Sequence, residues 1–205
     1  MPLKKVFKVV VVGDKGVGKS TLIRTLKLLL EQNDIPNHSS LSENQMQSFE
    51  LINSFANCYS PTIGINYYVY NDLLSDKYEV QIWDCSGDER FLMLVDAVFP
   101  KADALILAFD VNKFSSVLCC LNFWLHRVRR LNLDVKKLHK YTLLLGTKID
   151  SVDLLTTTGE VDLHKLAQRH DIPFAVRVLF DQLAILEYYV VLLYRPDVPR
   201  EPGKE

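Results

Sequence analysis

Residues Gly13-Asp14-Lys15-Gly16-Val17-Gly18-Lys19-Ser20 constrain this chain more than any other stretch. They satisfy the pattern G-x-x-x-x-G-K-[ST] and follow the apolar run Val9 to Val12, so a buried strand must turn through glycines straight into a helix. Closely spaced glycines let successive backbone N–H groups point into one concavity, which the N-terminus of the following helix makes electropositive. The group that suits it is a phosphate chain. Lys19 is expected to reach the β and γ phosphates as a point charge, and Ser20 to offer its hydroxyl to Mg²⁺, a hard cation that takes few protein ligands. The expected nucleotide-binding set thus starts as Gly13, Asp14, Lys15, Gly16, Val17, Gly18, Lys19, Ser20 and Thr21.

The remaining chain supplies the sheet such a loop needs. Runs at 6–12, 104–110 and 141–146 are almost continuously apolar, as strands covered on both faces are. Residues 65–70 and 78–83 alternate around turn chemistry at 71–77 and predict an edge hairpin, with a further short strand at 173–176. Helical patterns at 19–30, 115–131, 162–170 and 181–194 interleave with them. The expected class is doubly wound α/β, with a mostly parallel six-stranded sheet and helices on both faces. Residues 31–54, rich in Asn, Gln and Ser and interrupted by Pro36, read as an inserted surface loop, either a partner-binding element or a tolerated insertion. One domain is expected over 1–194, followed by a disordered, proline-containing tail at 195–205.

Composition narrows the function classes. A chain of 205 residues that is 48% hydrophobic can build one substantial core, and its net charge of -1 leaves no electrostatic footprint for nucleic acid. No stretch has signal-peptide form or transmembrane length, and the four cysteines show no C-x-x-C spacing, which predicts a cytoplasmic protein.

Three further motifs follow the loop in order: Tyr59-Ser60-Pro61-Thr62-Ile63-Gly64, Trp83-Asp84-Cys85-Ser86-Gly87-Asp88-Glu89-Arg90-Phe91 and Gly146-Thr147-Lys148-Ile149-Asp150. A threonine on a flexible segment can place its hydroxyl on Mg²⁺ and its N–H on a γ phosphate only while that phosphate exists, so Thr62 reads as a switch contact. Asp84, ending an apolar strand, can hold Mg²⁺ through water, and Gly87 lets the backbone approach the γ phosphate. A carboxylate at Asp150 that accepts from guanine N1–H and N2–H leaves adenine without matching donors, a discrimination of roughly 10⁴-fold or more. With these motifs in this order the chain resembles a small GTPase of the Ras superfamily, most like the Rab branch, over about residues 4–194 with 31–54 unmatched.

The resemblance implies a P-loop small G-domain with the insertion before its first switch. Such a domain binds GTP or GDP with Mg²⁺, hydrolyses GTP, and meets effector, exchange-factor and GTPase-activating proteins through two switch segments, which points to intracellular trafficking. It makes Ser20, Thr62 and Asp84 metal ligands, the last through water, and puts Lys19, Thr62, Gly87 and Asp88 at the catalytic positions. Phe55 covers the base edge and the Lys148 stem packs along the base plane.

Departures from the pattern carry their own expectations. Asp88 stands where the family has a water-positioning glutamine; aspartate is shorter, anionic and acceptor-only, which predicts slow intrinsic hydrolysis. Lys15 replaces a small residue and projects into the same space, where an ion pair with Asp88, a contact to the γ phosphate, and a lysine in water are all open. Thr147 offers one hydroxyl in place of an asparagine amide that bridges base and loop, which predicts weaker nucleotide retention. Arg177-Val178-Leu179 replaces a Ser-Ala-Lys motif and leaves a main-chain N–H at Val178 for the guanine oxygen. The positions of three aromatics common on the Rab switch surface hold Tyr67, Trp83 and Val98. No cysteine lies near the C-terminus and residue 2 is proline, so neither a prenyl nor a myristoyl anchor is expected, and membrane recruitment would run through a protein partner. Two functions stay in view: a slow GTP/GDP switch, or a nucleotide-locked module inside a larger assembly. A P-loop kinase or ATPase is disfavoured by the Asp84 to Gly87 and Lys148 to Asp150 pairs.

Overall fold

The computed structural model describes residues 4–31, 60–71, 78–148 and 163–177. Six strands form one sheet: β1 (Lys5–Val12), β2 (Ile65–Asn71), β3 (Tyr78–Cys85), β4 (Ala104–Asp110), β5 (Thr142–Thr147) and β6 (Phe174–Arg177), in the order β2-β3-β1-β4-β5-β6. Only β2 runs antiparallel to its neighbour, pairing Ile65 with Cys85 and Tyr67 with Trp83; the other pairings are parallel. The alternation within the apolar runs feeds two cores. Val10, Val12, Leu105, Leu107, Phe109 and Leu144 point to one face, while Val9, Val11, Ile82, Ile106, Leu143 and Leu145 point to the other.

Helix α1 (Lys19–Glu31) closes the second face with Leu22 and Ile23. The first face is covered by α2 (Leu92–Asp96), α3 (Phe114–Leu118), α4 (His126–Leu131), α5 (Val135–Lys140) and α6 (Leu163–Arg169), which supply Val95, Val117, Val128, Leu138 and Leu163. Between α3 and α4 the rod expected at 115–131 is continuous, but its centre, Cys119–Leu125, winds as a π-helix. There the Cys120 thiol donates to the Ala108 carbonyl at 3.1 Å, inside the core. Among the described residues no helix is long and apolar enough to cross a membrane.

Three differences from the sequence expectation have local causes. β3 continues two residues past Trp83, because Asp84 pairs with both Val11 and Asn66 and so lies within the ladder rather than beyond it. The 3₁₀ turn Glu89–Phe91 with α2, and the six-residue α5, are too short to show a helical period in sequence. The hairpin turn at 72–77, the insertion beyond Glu31, the helix expected at 181–194 and the tail lie outside the described residues.

The sheet order places the loop. β1 has β3 on one side and β4 on the other, so the strand order reverses at its C-terminal end, where open α/β sheets form a ligand crevice. Residues 13–20 fill that position. Gly13, at φ +152°, presses so close to β4 that an added Cβ would stand 2.0 Å from the Ala108 carbonyl oxygen, and only glycine fits.

Candidate functional site

The two ends of the loop meet different neighbours. At its beginning, the buried Lys19 side chain folds over the loop and donates from Nζ to the Gly13 and Asp14 carbonyls at 2.9 and 2.8 Å. Burial pulls the Lys19 pKa down, opposed chiefly by the charge of Asp84. Ser20, on the first turn of α1, donates to Asp84 Oδ2 at 2.6 Å and lies 2.8 Å from Thr62 Oγ1. Asn66 Nδ2 donates to the same carboxylate oxygen at 3.3 Å. Asp84 is fully buried, which pushes its pKa up against the Ser20 hydrogen bond and the Lys19 charge.

That cluster fits Mg²⁺. Asp84 Oδ1 is buried without a hydrogen-bond partner, an orphaned hard acceptor beside two hydroxyls, and buried polar atoms are rarely left so. α1, the segment before β2, and β3 thus bring together the three residues expected around the metal. Ser86 N–H also donates to the Gly64 carbonyl at 2.9 Å, joining the two expected switch segments through the main chain. Gly87 sits on the loop itself: an added Cβ would come within 2.5 Å of Asp14 C and Lys15 N.

Asp88 is engaged from all sides. Arg90 donates from its backbone N and Nε to Oδ1 at 3.1 and 3.0 Å and from Nη2 to Oδ2 at 2.8 Å, and Lys15 Nζ reaches Oδ2 at 3.3 Å. Four donors fill the acceptor capacity of one carboxylate. The Arg90 side chain and N–H, with Lys15 behind them, hold Asp88 well below the usual carboxylate range. Of the three alternatives for Lys15, the structure contains the ion pair. Arg90 and Asn66 escaped the sequence reading. A cation two residues after Asp88 and an amide paired in register with Asp84 were the available signals.

At the other end of the loop, Thr147 closes β5 with its hydroxyl between two carbonyls, that of Val17 and that of Phe109, the latter at 2.8 Å. The loop half of the bridge expected from asparagine is therefore kept by a shorter, buried side chain. Gly18 packs on it, and an added Cβ would lie 3.7 Å from Oγ1. Lys148 follows at φ +60° and sends Nζ to Asp110 Oδ2 at 3.0 Å, while Asn112 Nδ2 donates to its carbonyl at 3.1 Å. Arg177 ends β6; Phe55, Asp150 and Val178 lie outside the described residues.

Beside the phosphate end, the Tyr67 and Trp83 rings pack at 4.8 Å between centres with their planes tilted by 59°, and Ile63, Met93 and Leu94 are exposed. Val98 is buried in the core, so the third expected switch-surface position contributes packing and not surface.

A glycine loop at the strand-order reversal, with a lysine, two hydroxyls and a carboxylate converging at one end, defines a P-loop nucleotide-binding domain. A family model described as the Ras family matches residues 45–178. The chain belongs to the Ras family. It is 31% identical over 169 residues to Ras-related protein Rab-26 of Bos taurus, a match covering 82% of this chain and 55% of that protein. It is 26% identical over 164 residues to Ras-related protein Rab-32D of Dictyostelium discoideum (77% and 60% covered), and 28% over 145 residues to Ras-related protein Rab-30 of Homo sapiens (70% and 57%). In each case the match spans less than two thirds of the relative's own length. The family match starts after Ser20, so the loop's geometry stands as separate evidence.

Proposed function

We propose that this domain is a GTP/GDP switch that binds nucleotide with Mg²⁺ and hydrolyses GTP slowly. The observation that carries it is the meeting of Lys19, Ser20, Thr62, Asp84 and Gly87 at one end of the phosphate loop. Loop N–H groups and the start of α1 hold the phosphates, and Lys19 adds charge at the β and γ positions. Ser20, Thr62 and Asp84 hold Mg²⁺, which when bound neutralises phosphate charge. Catalysis is mainly positioning and charge neutralisation by Lys19, Thr62 and Gly87. Thr62 and the Gly87 N–H sense the γ phosphate, and the Ser86 to Gly64 bond makes their release concerted. Asp150 selects guanine, supported by Phe55, Thr147, Lys148, Arg177 and the Val178 N–H.

The relatives' Rab names and the switch-side exposure of Ile63, Tyr67, Met93 and Leu94 support a cytoplasmic trafficking role, with effectors and regulators docking there. Slow turnover follows from Asp88, an acceptor-only carboxylate both of whose oxygens Arg90 holds whether or not Lys15 is paired with it, so that it cannot orient a water as a glutamine amide would. The same saturation favours a second reading, a nucleotide-locked subunit of a larger assembly.

The test is to identify the nucleotide released on denaturation and to follow single-turnover GTP hydrolysis by wild type and Asp88→Gln. A guanine nucleotide is expected, and a rate raised about tenfold in Asp88→Gln, ~1.4 kcal/mol of barrier. An unchanged rate removes Asp88 as the limit. Absent turnover, with partners indifferent to GTP or GDP, supports the second reading.

A further inference from the structure

The contacts of the loop give it a direction. Thr147, from the base-side motif, reaches the Val17 carbonyl and packs on Gly18, whereas the switch glycine Gly87 rests on the backbone of Asp14 and Lys15. With the guanine-nucleotide reading above, these contacts turn Val17 and Gly18 to the nucleoside side and Lys15 to the terminal-phosphate side. Its side chain is half exposed, at 50%, and its ammonium meets Asp88 Oδ2 at 3.3 Å, long for a charge-assisted hydrogen bond. Arg90 holds that same oxygen at 2.8 Å and the other at 3.0 Å. Asp88 is compensated without Lys15, which makes the lysine the exchangeable member of the cluster. The other nearby acid, Asp14, spends Oδ1 on the Lys15 backbone N–H at 2.7 Å. An ammonium on a flexible four-carbon stem is a mobile point charge, and a terminal phosphate carries about two negative charges against one shared carboxylate charge.

We propose that Lys15 is a specificity residue for triphosphate over diphosphate: its ammonium leaves Asp88 for a γ phosphate when one is bound, and returns to Asp88 when the nucleotide ends at the β phosphate. The inference rests on the guanine-nucleotide reading above. It gives the loop and the second switch a tie that exists in the diphosphate state and is surrendered in the triphosphate state. Asp88 then acts as the competitor that sets how much of the lysine's charge the γ phosphate obtains.

The experiment measures dissociation constants of GDP and of the β,γ-imido analogue of GTP, with Mg²⁺, for the full chain as wild type, Lys15→Met and Asp88→Asn. Lys15→Met should weaken the imido analogue about tenfold and GDP less than about twofold. Asp88→Asn, which removes the competing charge, should tighten the analogue about threefold and leave GDP nearly unchanged. Equal shifts of both nucleotides in Lys15→Met, no shift at all, or a loosened analogue in Asp88→Asn overturns the proposal while guanine-nucleotide binding stands. Failure of the wild type to bind either nucleotide overturns the underlying reading instead.

Discussion

The side of the loop that meets Thr147 and the side that meets Gly87 and Asp88 are held by different kinds of force. Against Val17 the contact is buried and neutral, a threonine hydroxyl between two carbonyls, with the buried Asp110 ion-paired to Lys148 beyond it. Around Asp14 and Lys15 the contacts are ionic and partly exposed, a carboxylate shared by a guanidinium and an ammonium, next to a switch glycine in bare backbone contact. Breaking a buried hydrogen bond leaves a desolvated group costing about 1–3 kcal/mol, whereas solvent-exposed ion pairs contribute about 0–1 kcal/mol and exchange partners readily. The proposed switch therefore divides retention of a nucleotide and detection of its last phosphate between separate parts of eight residues.

The division can be broken, and the severest attempt is Gly87→Ala. Its Cβ meets backbone atoms at 2.5 Å that cannot rotate away, so overpacking of about 3 kcal/mol should fall on the phosphate end alone. Nucleotide-dependent hydrogen-exchange protection around residues 86–96 should vanish, with GDP affinity changed less than about threefold. Loss of GDP binding would show the ends to be one unit. Thr147→Val tests the opposite end: with the Val17 and Phe109 carbonyls deprived of their donor, GDP and the imido analogue should both dissociate about 30-fold faster, ~2 kcal/mol. A change confined to the triphosphate would erase the distinction.

Arg90→Ala sharpens it by the smallest margin. Freed of its guanidinium, Asp88 should keep more of Lys15, and preference for the imido analogue over GDP should fall about threefold with the melting temperature unmoved. Taken as the ratio of wild type to Asp88→Asn, in which the terminal phosphate's own ionisation at about pH 6 cancels, that preference should be flat from about pH 8 to about pH 5. The sign follows from Asp88 being held below the usual carboxylate range: its ion pairs are complete above the unfolded pKa and fail only as pH drops through the lower, folded one. A ratio that titrates near pH 6 would point to a different protein group.

Most of the sheet was legible in the sequence because buried parallel strands are written as unbroken apolar runs, and β4 begins and ends at the residues its run implies. That Lys19, Ser20, Thr62, Asp84 and Gly87 meet around the loop was legible for a similar reason, since each suits a backbone requirement or a ligand chemistry that few residue types meet. What sequence could not convey was competition among side chains. Nothing in the letters distinguishes a Lys15 in water from one paired with Asp88, because the deciding bond spans 73 positions, and nothing ranks Arg90 above its neighbours as the clamp on that carboxylate. In sequence Thr147 stands out only by what it lacks relative to asparagine, whereas its worth lies in the distance between β5 and the loop, short enough for one hydroxyl.

The widened helix at Cys119–Leu125 bears on how this chain should be aligned with its kin. A π-helical run closes its hydrogen bonds one residue later than an α-helix, so it accommodates an added residue while α3 and α4 keep their places against the sheet. A relative whose rod is regular throughout would need its one-residue gap there, in the middle of a buried helix. A gap moved to the loop at 111–113 would slide the first half of the rod out of register with the core, and one moved to 132–134 the second half.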